Sequence, residues 1–166
     1  MKTIKNTILA IVAVLGFTQM TQAQKVVHVN YLEIVDALPE TKKSTADIQK
    51  IGEEYATDLR KKEIDLQAKS EKFQLESKSR TQAENEKVYI ALQQEAANLQ
   101  QAKLAARQDI QKREQDALIP IRKKIDDAIK AYAQEKGIQY VYDRGTLVYA
   151  GGKDITSEIK AKLGAQ

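Results

Sequence analysis

Between Glu53 and Lys136 the chain runs for 84 residues without a glycine and with one proline, Pro120. Globular folds make their turns with those residues, and a chain that forgoes them over half its length favours long helices. Charged residues make up 30% and aromatics only 5%, too few large apolar groups for a conventional core. Cysteine is absent and histidine occurs once, as His28. Disulfides, thiolate metal sites, cysteine catalysis and imidazole clusters are therefore excluded. The 166 residues suit one domain.

The N-terminus reads as an address. Lys2 and Lys5 precede a ten-residue apolar stretch, Ile8 to Phe17, and a short polar segment ends at Ala23. Ten residues fall short of the about 20 that span a bilayer as a helix. Ala23, with Thr21 two positions before it, fits a signal-peptidase cut before Gln24. A membrane anchor is the alternative. The expected product is an exported protein, and removal of 1–23 takes away two lysines and no acids. The formal charge then falls from +4 to +2. A nearly balanced chain with mixed signs lacks the clustered cations that nucleic-acid binding needs.

The mature sequence predicts an α+β fold, mostly α, in which a long antiparallel helical hairpin projects from a small β-sheet body. Residues 24–43 and 137–166 form the expected body, and 44–136 the arm. Lys25–Asn30 is β-branched and reads as a strand, followed by a helical turn halted near Pro39. From about Ser44, with Ser44 and Asp47 as its expected cap, a helical stripe begins. Ile48, Ile51, Tyr55, Leu59, Lys62, Leu66, Ser70 and Phe73 follow steps of three and four. A second stripe runs from Val88 through Leu92, Leu99, Ala106, Ile110, Ile121, Ile125 and Ala128 to Tyr132. Between them Glu76–Glu86 has no large apolar residue, which predicts a tip near 77–86. One continuous helix is the other geometry. Pro120 is expected to kink the second arm. After a stop at Gly137, Ile138–Asp143 and Leu147–Ala150 read as paired strands joined by a turn at Arg144–Gly145. Asp154–Leu163 reads as an amphipathic helix capped by Thr156.

Such a body buries little, and small cores without disulfides or metals are usually completed by assembly. The expected oligomer interface comprises Val27, Val29, Tyr140, Val141, Tyr142, Val148, Tyr149 and Ile155. No catalytic constellation is present: the acidic pairs Glu53/Glu54, Glu84/Glu86 and Asp126/Asp127 lie in polar helix with nothing to desolvate them. Gly151–Gly152 lacks the residues of a phosphate loop. The chain is expected to be a non-enzyme without metal or cofactor. Apolar residues left outside or along the stripes could instead touch another molecule in a space between hairpins. These are Ile64, Leu66, Leu75, Tyr89, Ile90, Leu92, Leu104 and Leu118.

The order of parts resembles the periplasmic chaperone family known as Skp or OmpH-like. The most specific match is terminal: Val141, Tyr142, Asp143, Val148, Tyr149, Ala150, Asp154, Ile155, Thr156, Ile159 and Leu163. The resemblance implies a homotrimer with a small β-body and three helical arms around a cavity. Unfolded outer-membrane proteins would be held there without ATP. Family members tend to have strongly basic arm tips, whereas here Lys78 and Arg80 stand beside Glu76, Glu84 and Glu86. Membrane-surface contact is expected to be weak on that account. A structural coiled-coil spacer or adaptor of the envelope, without client binding, is the rival reading.

Overall fold

The computed structural model describes residues 26–165. The expected signal segment and its cut between Ala23 and Gln24 lie outside the described residues. In chain order come β1 (Val26–Val29), α1 (Tyr31–Ala37), α2 (Pro39–Glu76), α3 (Gln82–Lys136), β2 (Tyr140–Asp143), β3 (Lys153–Asp154) and α4 (Thr156–Leu163). A single 3-10 turn, Ser77–Ser79, separates α2 from α3.

The two long helices form the antiparallel hairpin. At about 1.5 Å per residue, α2 with 38 residues is about 57 Å long and α3 with 55 is about 82 Å. The tip is shorter than the apolar register suggested, because Thr81 already starts the second helix. Its Oγ1 accepts from the Glu84 backbone N–H at 3.3 Å, and Glu84 Oε2 accepts from Thr81 N–H at 2.8 Å. That reciprocal cap satisfies two donors of the first turn and needs neither glycine nor proline. At the other end Gly137 stops α3 with φ +61°, and the Ile138 N–H donates to the Ala133 carbonyl at 2.9 Å. α3 runs unbroken through Pro120.

The first arm helix begins five residues earlier than its stripe. Pro39 occupies its opening turn, where a missing N–H costs nothing. Ser44 and Asp47 are therefore inside α2 and cap nothing. α1 halts before Pro39 as expected, ending at Ala37, and the same proline opens α2.

The body is a three-stranded, wholly parallel sheet in the order β2-β1-β3. This corrects the expected hairpin of Ile138–Asp143 with Leu147–Ala150. Since β2 and β3 lie on opposite sides of β1 and run the same way, the chain must return between them. Residues 144–152 make that return, so Leu147–Ala150 forms no strand, and Val148 and Tyr149 are 108% and 86% exposed. High β-propensity identifies a segment suited to a strand but does not supply a partner. Gly152 packs over His28, where an added Cβ would stand 3.8 Å from both Nδ1 and the Val26 carbonyl oxygen.

One face of the sheet carries the core. Val27 and Val29 meet Ile34, Val35 and Leu38 of the α1 region, Ile121, Ile125, Ala128 and Tyr132 of α3, and Ile155 and Ile159 by α4. Hydrogen bonds fasten the chain's two ends at this point. Asn30 N–H donates to Thr156 Oγ1 at 2.8 Å, Ile155 N–H to the His28 carbonyl at 2.9 Å, and Tyr31 N–H to Asp143 Oδ1 at 3.3 Å. Thr156 does not cap α4. Asp154 does so from outside the helix, with Oδ1 accepting the Thr156 N–H at 2.8 Å.

Candidate functional site

The arm's packing seam uses the residues of the two stripes. On α2, Ile48, Ile51, Tyr55, Leu59, Leu66, Ser70 and Phe73 are half-buried while Lys62 stays in solvent. Opposite them on α3, Leu99 and Ala106 are buried, and Val88, Leu92, Glu95, Ala102 and Ile110 half-buried. α2 has no fully buried side chain, so the seam is thin. Polar ties reinforce it. Tyr55 Oη donates to Asp109 Oδ2 at 2.9 Å, Lys69 Nζ meets Glu95 at 2.9 Å, and Glu63 pairs with Lys103 and Glu40 with Lys124. Hydrogen bonds from Arg113, then from Tyr55, hold the Asp109 carboxyl below its ordinary range. At the base, burial and then Asp126, 3.2 Å away, push the Tyr31 hydroxyl up to about 12.

The surface apolar residues follow a pattern that the stripes conceal. Helix positions rotate by about 100° each, so Ile64 lies about 200° from Leu66 and points away from the seam. Leu75, eleven residues further, returns to within about 20° of Ile64. On α3, Ile90 and Leu104 face away from the seam in the same manner, and so does Ile119. All five are exposed, at 59% for Ile64, 83% for Leu75 and 57% for Leu104. In an antiparallel pair the two outward faces look in opposite directions. The structure thus divides the candidates: Ile64 and Leu75 lie on one surface, and Ile90 and Leu104, joined there by Ile119, on the other. They do not share one space within a hairpin. Tyr89 lies a quarter-turn from Ile90, its Oη accepting from Gln93 at 2.7 Å.

Three other candidates belong elsewhere. Leu66 and Leu92 are half-buried in the seam, and Leu118 packs against the body core. Ile119, with Leu32 of α1, was missed by the sequence reading although both are more than 60% exposed. The signal for Ile119 was present, since it follows Leu104 by 15 residues and Ile90 by 29 on one face.

The interface candidates divide too. Val27, Val29 and Ile155 are buried in this chain's own core, which leaves their side chains no surface to offer a partner. Val141 packs partly against that core. Tyr140 and Tyr142 lie half-exposed on β2, rings 6.4 Å apart and stacked at 18°. Val26 is paired with Tyr140 across the sheet and is also exposed, as are Val148 and Tyr149 of the return segment.

Burial acts to raise the Asp154 carboxyl, but hydrogen bonds from the Thr156 hydroxyl and N–H, with His28 and Arg144 nearby, hold it below its ordinary value. The contacts of this carboxylate are those of a structural joint. No group of three or more His, Cys, Asp or Glu among the described residues is arranged to hold a metal. No described helix is long and apolar enough to cross a membrane.

Comparison with known proteins agrees with this architecture. Residues 25–163 match the profile of the family described as Outer membrane protein (OmpH-like). Chaperone protein Skp of Yersinia enterocolitica is 27% identical over 146 residues, covering 87% of this chain and 89% of the relative. Chaperone protein Skp of Photorhabdus laumondii is 31% identical over 141 residues, covering 82% and 84%. These relatives are named for chaperoning and not for a reaction, in keeping with a protein that is not an enzyme. An OmpH-like crystal structure from Caulobacter crescentus superposes with a TM-score of 0.76 over 89% of each chain at 19% identity, the same fold. With the profile spanning the body strands and the whole hairpin between them, this chain belongs to the OmpH-like family.

Proposed function

We propose that this protein is an ATP-independent holdase of the periplasm that keeps unfolded outer-membrane proteins from aggregating, acting as a homotrimer whose arms enclose its clients. One observation carries the reading: large apolar side chains stand exposed, singly and at intervals, on the outward faces of a charged, thinly packed arm. Burying a whole Leu or Ile side chain contributes about 1.5–3 kcal/mol, and a client segment lying across one would realise about half. Each contact is then weak and reversible, while several together hold a chain without reading its sequence. Release needs no nucleotide.

The α3 face, with Ile90, Leu104 and Ile119 spaced about 21–22 Å apart at 1.5 Å per residue, is the one we assign to the cavity. The α2 face, with Ile64 and Leu75, looks the other way. Support for assembly comes from the body, where Val26, Tyr140, Tyr142, Val148 and Tyr149 leave apolar surface uncovered and β2 keeps an open edge. The relatives' name supports the chaperone role, and the N-terminal pattern supports export.

The test is light scattering from a urea-unfolded outer-membrane barrel diluted with and without the mature protein. Suppression at about one trimer per client is expected. Unchanged aggregation at a several-fold excess of trimer would remove the proposal, and a stable monomer at micromolar concentration would remove its trimeric part.

A further inference from the structure

The cross-seam ties are unevenly spaced. Glu40–Lys124 closes the base and Tyr55–Asp109 the next level, and between them no side-chain hydrogen bond or ion pair joins α2 to α3 among the described residues. That interval holds an open groove of about 660 Å³, within the range of about 300–1,000 Å³ common to ligand pockets. Its floor is apolar, with Ile48, Ile110 and Ile121. It exists because the walls carry small residues, Gly52 and Ala56 on α2 and Ala117 on α3. Crowding does not require the glycine, for an added Cβ at Gly52 would meet only Ile110 Cδ1, at 4.0 Å.

The groove's charge is one-sided. Glu53 and Glu114 stand on its two walls, and its lining includes no lysine or arginine. Neither carboxylate has an ion-pair partner among the described residues, whereas at the neighbouring levels Glu40, Glu63 and Glu95 are each matched to a lysine. Two acids without a cationic partner, Glu53 holding only a hydrogen bond from Gln49 Nε2 at 3.1 Å, flank an apolar slot and complement an apolar side chain with a cation beside it.

We propose that this groove receives an aliphatic or aromatic side chain from a cationic stretch of polypeptide, with Glu53 and Glu114 meeting its Lys or Arg neighbours. The occupant's identity as client rests on the chaperone reading above. The groove would add to the outward faces a site at the base of the arm with a preference of its own.

The test uses the full mature chain and two short capped peptides carrying a neutral fluorophore, one with a Lys-Leu-Phe-Lys centre and one with Asp-Leu-Phe-Asp. By fluorescence anisotropy the cationic peptide is expected to bind at least tenfold tighter. Glu53→Gln with Glu114→Gln should lower its affinity about fivefold, the scale of two exposed ion pairs, and 0.5 M salt should do the same. Gly52→Leu, which fills the slot and favours helix, should weaken the cationic peptide at least tenfold with ellipticity unchanged. Equal binding of the two peptides, or wild-type binding by Gly52→Leu, overturns the proposal. A change of oligomeric state on Gly52→Leu also overturns it, because the groove is then filled by a second copy. Failure of these titrations while the chain still suppresses barrel aggregation removes the groove alone. Peptide binding without such suppression removes the chaperone reading and leaves the groove.

Discussion

Replacing Ile125 by alanine tests how the molecule divides its stability between body and arm. Ile125 is fully buried where α3 enters the body, in the same cluster as Val27 and Val29 of the central strand and Ile34, Ile155 and Ile159. The substitution removes three carbons, about 2.4 kcal/mol at ~0.8 kcal/mol for each buried CH2. The cavity left among residues held by four elements adds to that, giving about 3–4 kcal/mol. At ~1.4 kcal/mol for each factor of ten, the open population of the body rises several hundredfold. Leu99→Ala is the control. Leu99 is buried only between two helices, in a seam whose other helix, α2, has no fully buried residue, so about 1–2 kcal/mol is expected. Hydrogen exchange by mass spectrometry, at one fixed chain concentration, reads both regions at once. Ile125→Ala should accelerate exchange across β1 and β2 and leave the distal arm near wild type, and Leu99→Ala should do the reverse. Acceleration of β1 by Leu99→Ala equal to that by Ile125→Ala would refute the picture of a dense body carrying a marginal arm.

Other predictions concern the joints. Thr81→Ala should loosen the tip by about 1 kcal/mol by loss of the reciprocal cap, read as faster exchange in the first turn of α3 with β1 unchanged. Gly137→Ala places a side chain at φ +61° and should lower the body's unfolding free energy, read from its urea transition, by about 1 kcal/mol, although no atom lies within 4 Å of the new Cβ. Asp154, a carboxyl held below its ordinary value, adds stability above its unfolded-state pKa that is lost as pH falls through its folded-state value. Thermal melts should show the body weakening on acidification, and Asp154→Asn should flatten that dependence; an equally steep profile would assign the acid sensitivity elsewhere.

Much of the fold was legible because helices obey a simple period. Ile48, Tyr55, Leu59, Phe73, Leu99 and Ile125 were placed on the inner face by steps of three and four, and the structure puts them there. The ends were harder. The halt of α1 before Pro39 was legible, but the start of α2 at that same proline was not, because the apolar period begins later. Leu147–Ala150 has the composition of a strand, but the parallel order β2-β1-β3 makes it the return path, and strand order is a tertiary property no local window contains. The surface candidates divided for a similar reason. Ile64 and Ile90 each stand clear of a stripe, but that they face opposite ways follows only from the antiparallel pairing of α2 with α3. Val27, Val29 and Ile155 were read as interface from their apolar character, and burial by α1, α3 and α4 had already claimed them.

The central claim is that the outward apolar residues of α3 hold the client. It is tested most directly by barrel aggregation in the presence of Ile90→Ser/Leu104→Ser/Ile119→Ser, beside Ile64→Ser/Leu75→Ser. All five positions are exposed, so both variants should keep wild-type ellipticity and oligomeric state. The triple variant is expected to need at least fivefold more protein for half-maximal suppression, and the double variant about the wild-type amount. Wild-type suppression by the triple variant would contradict the account.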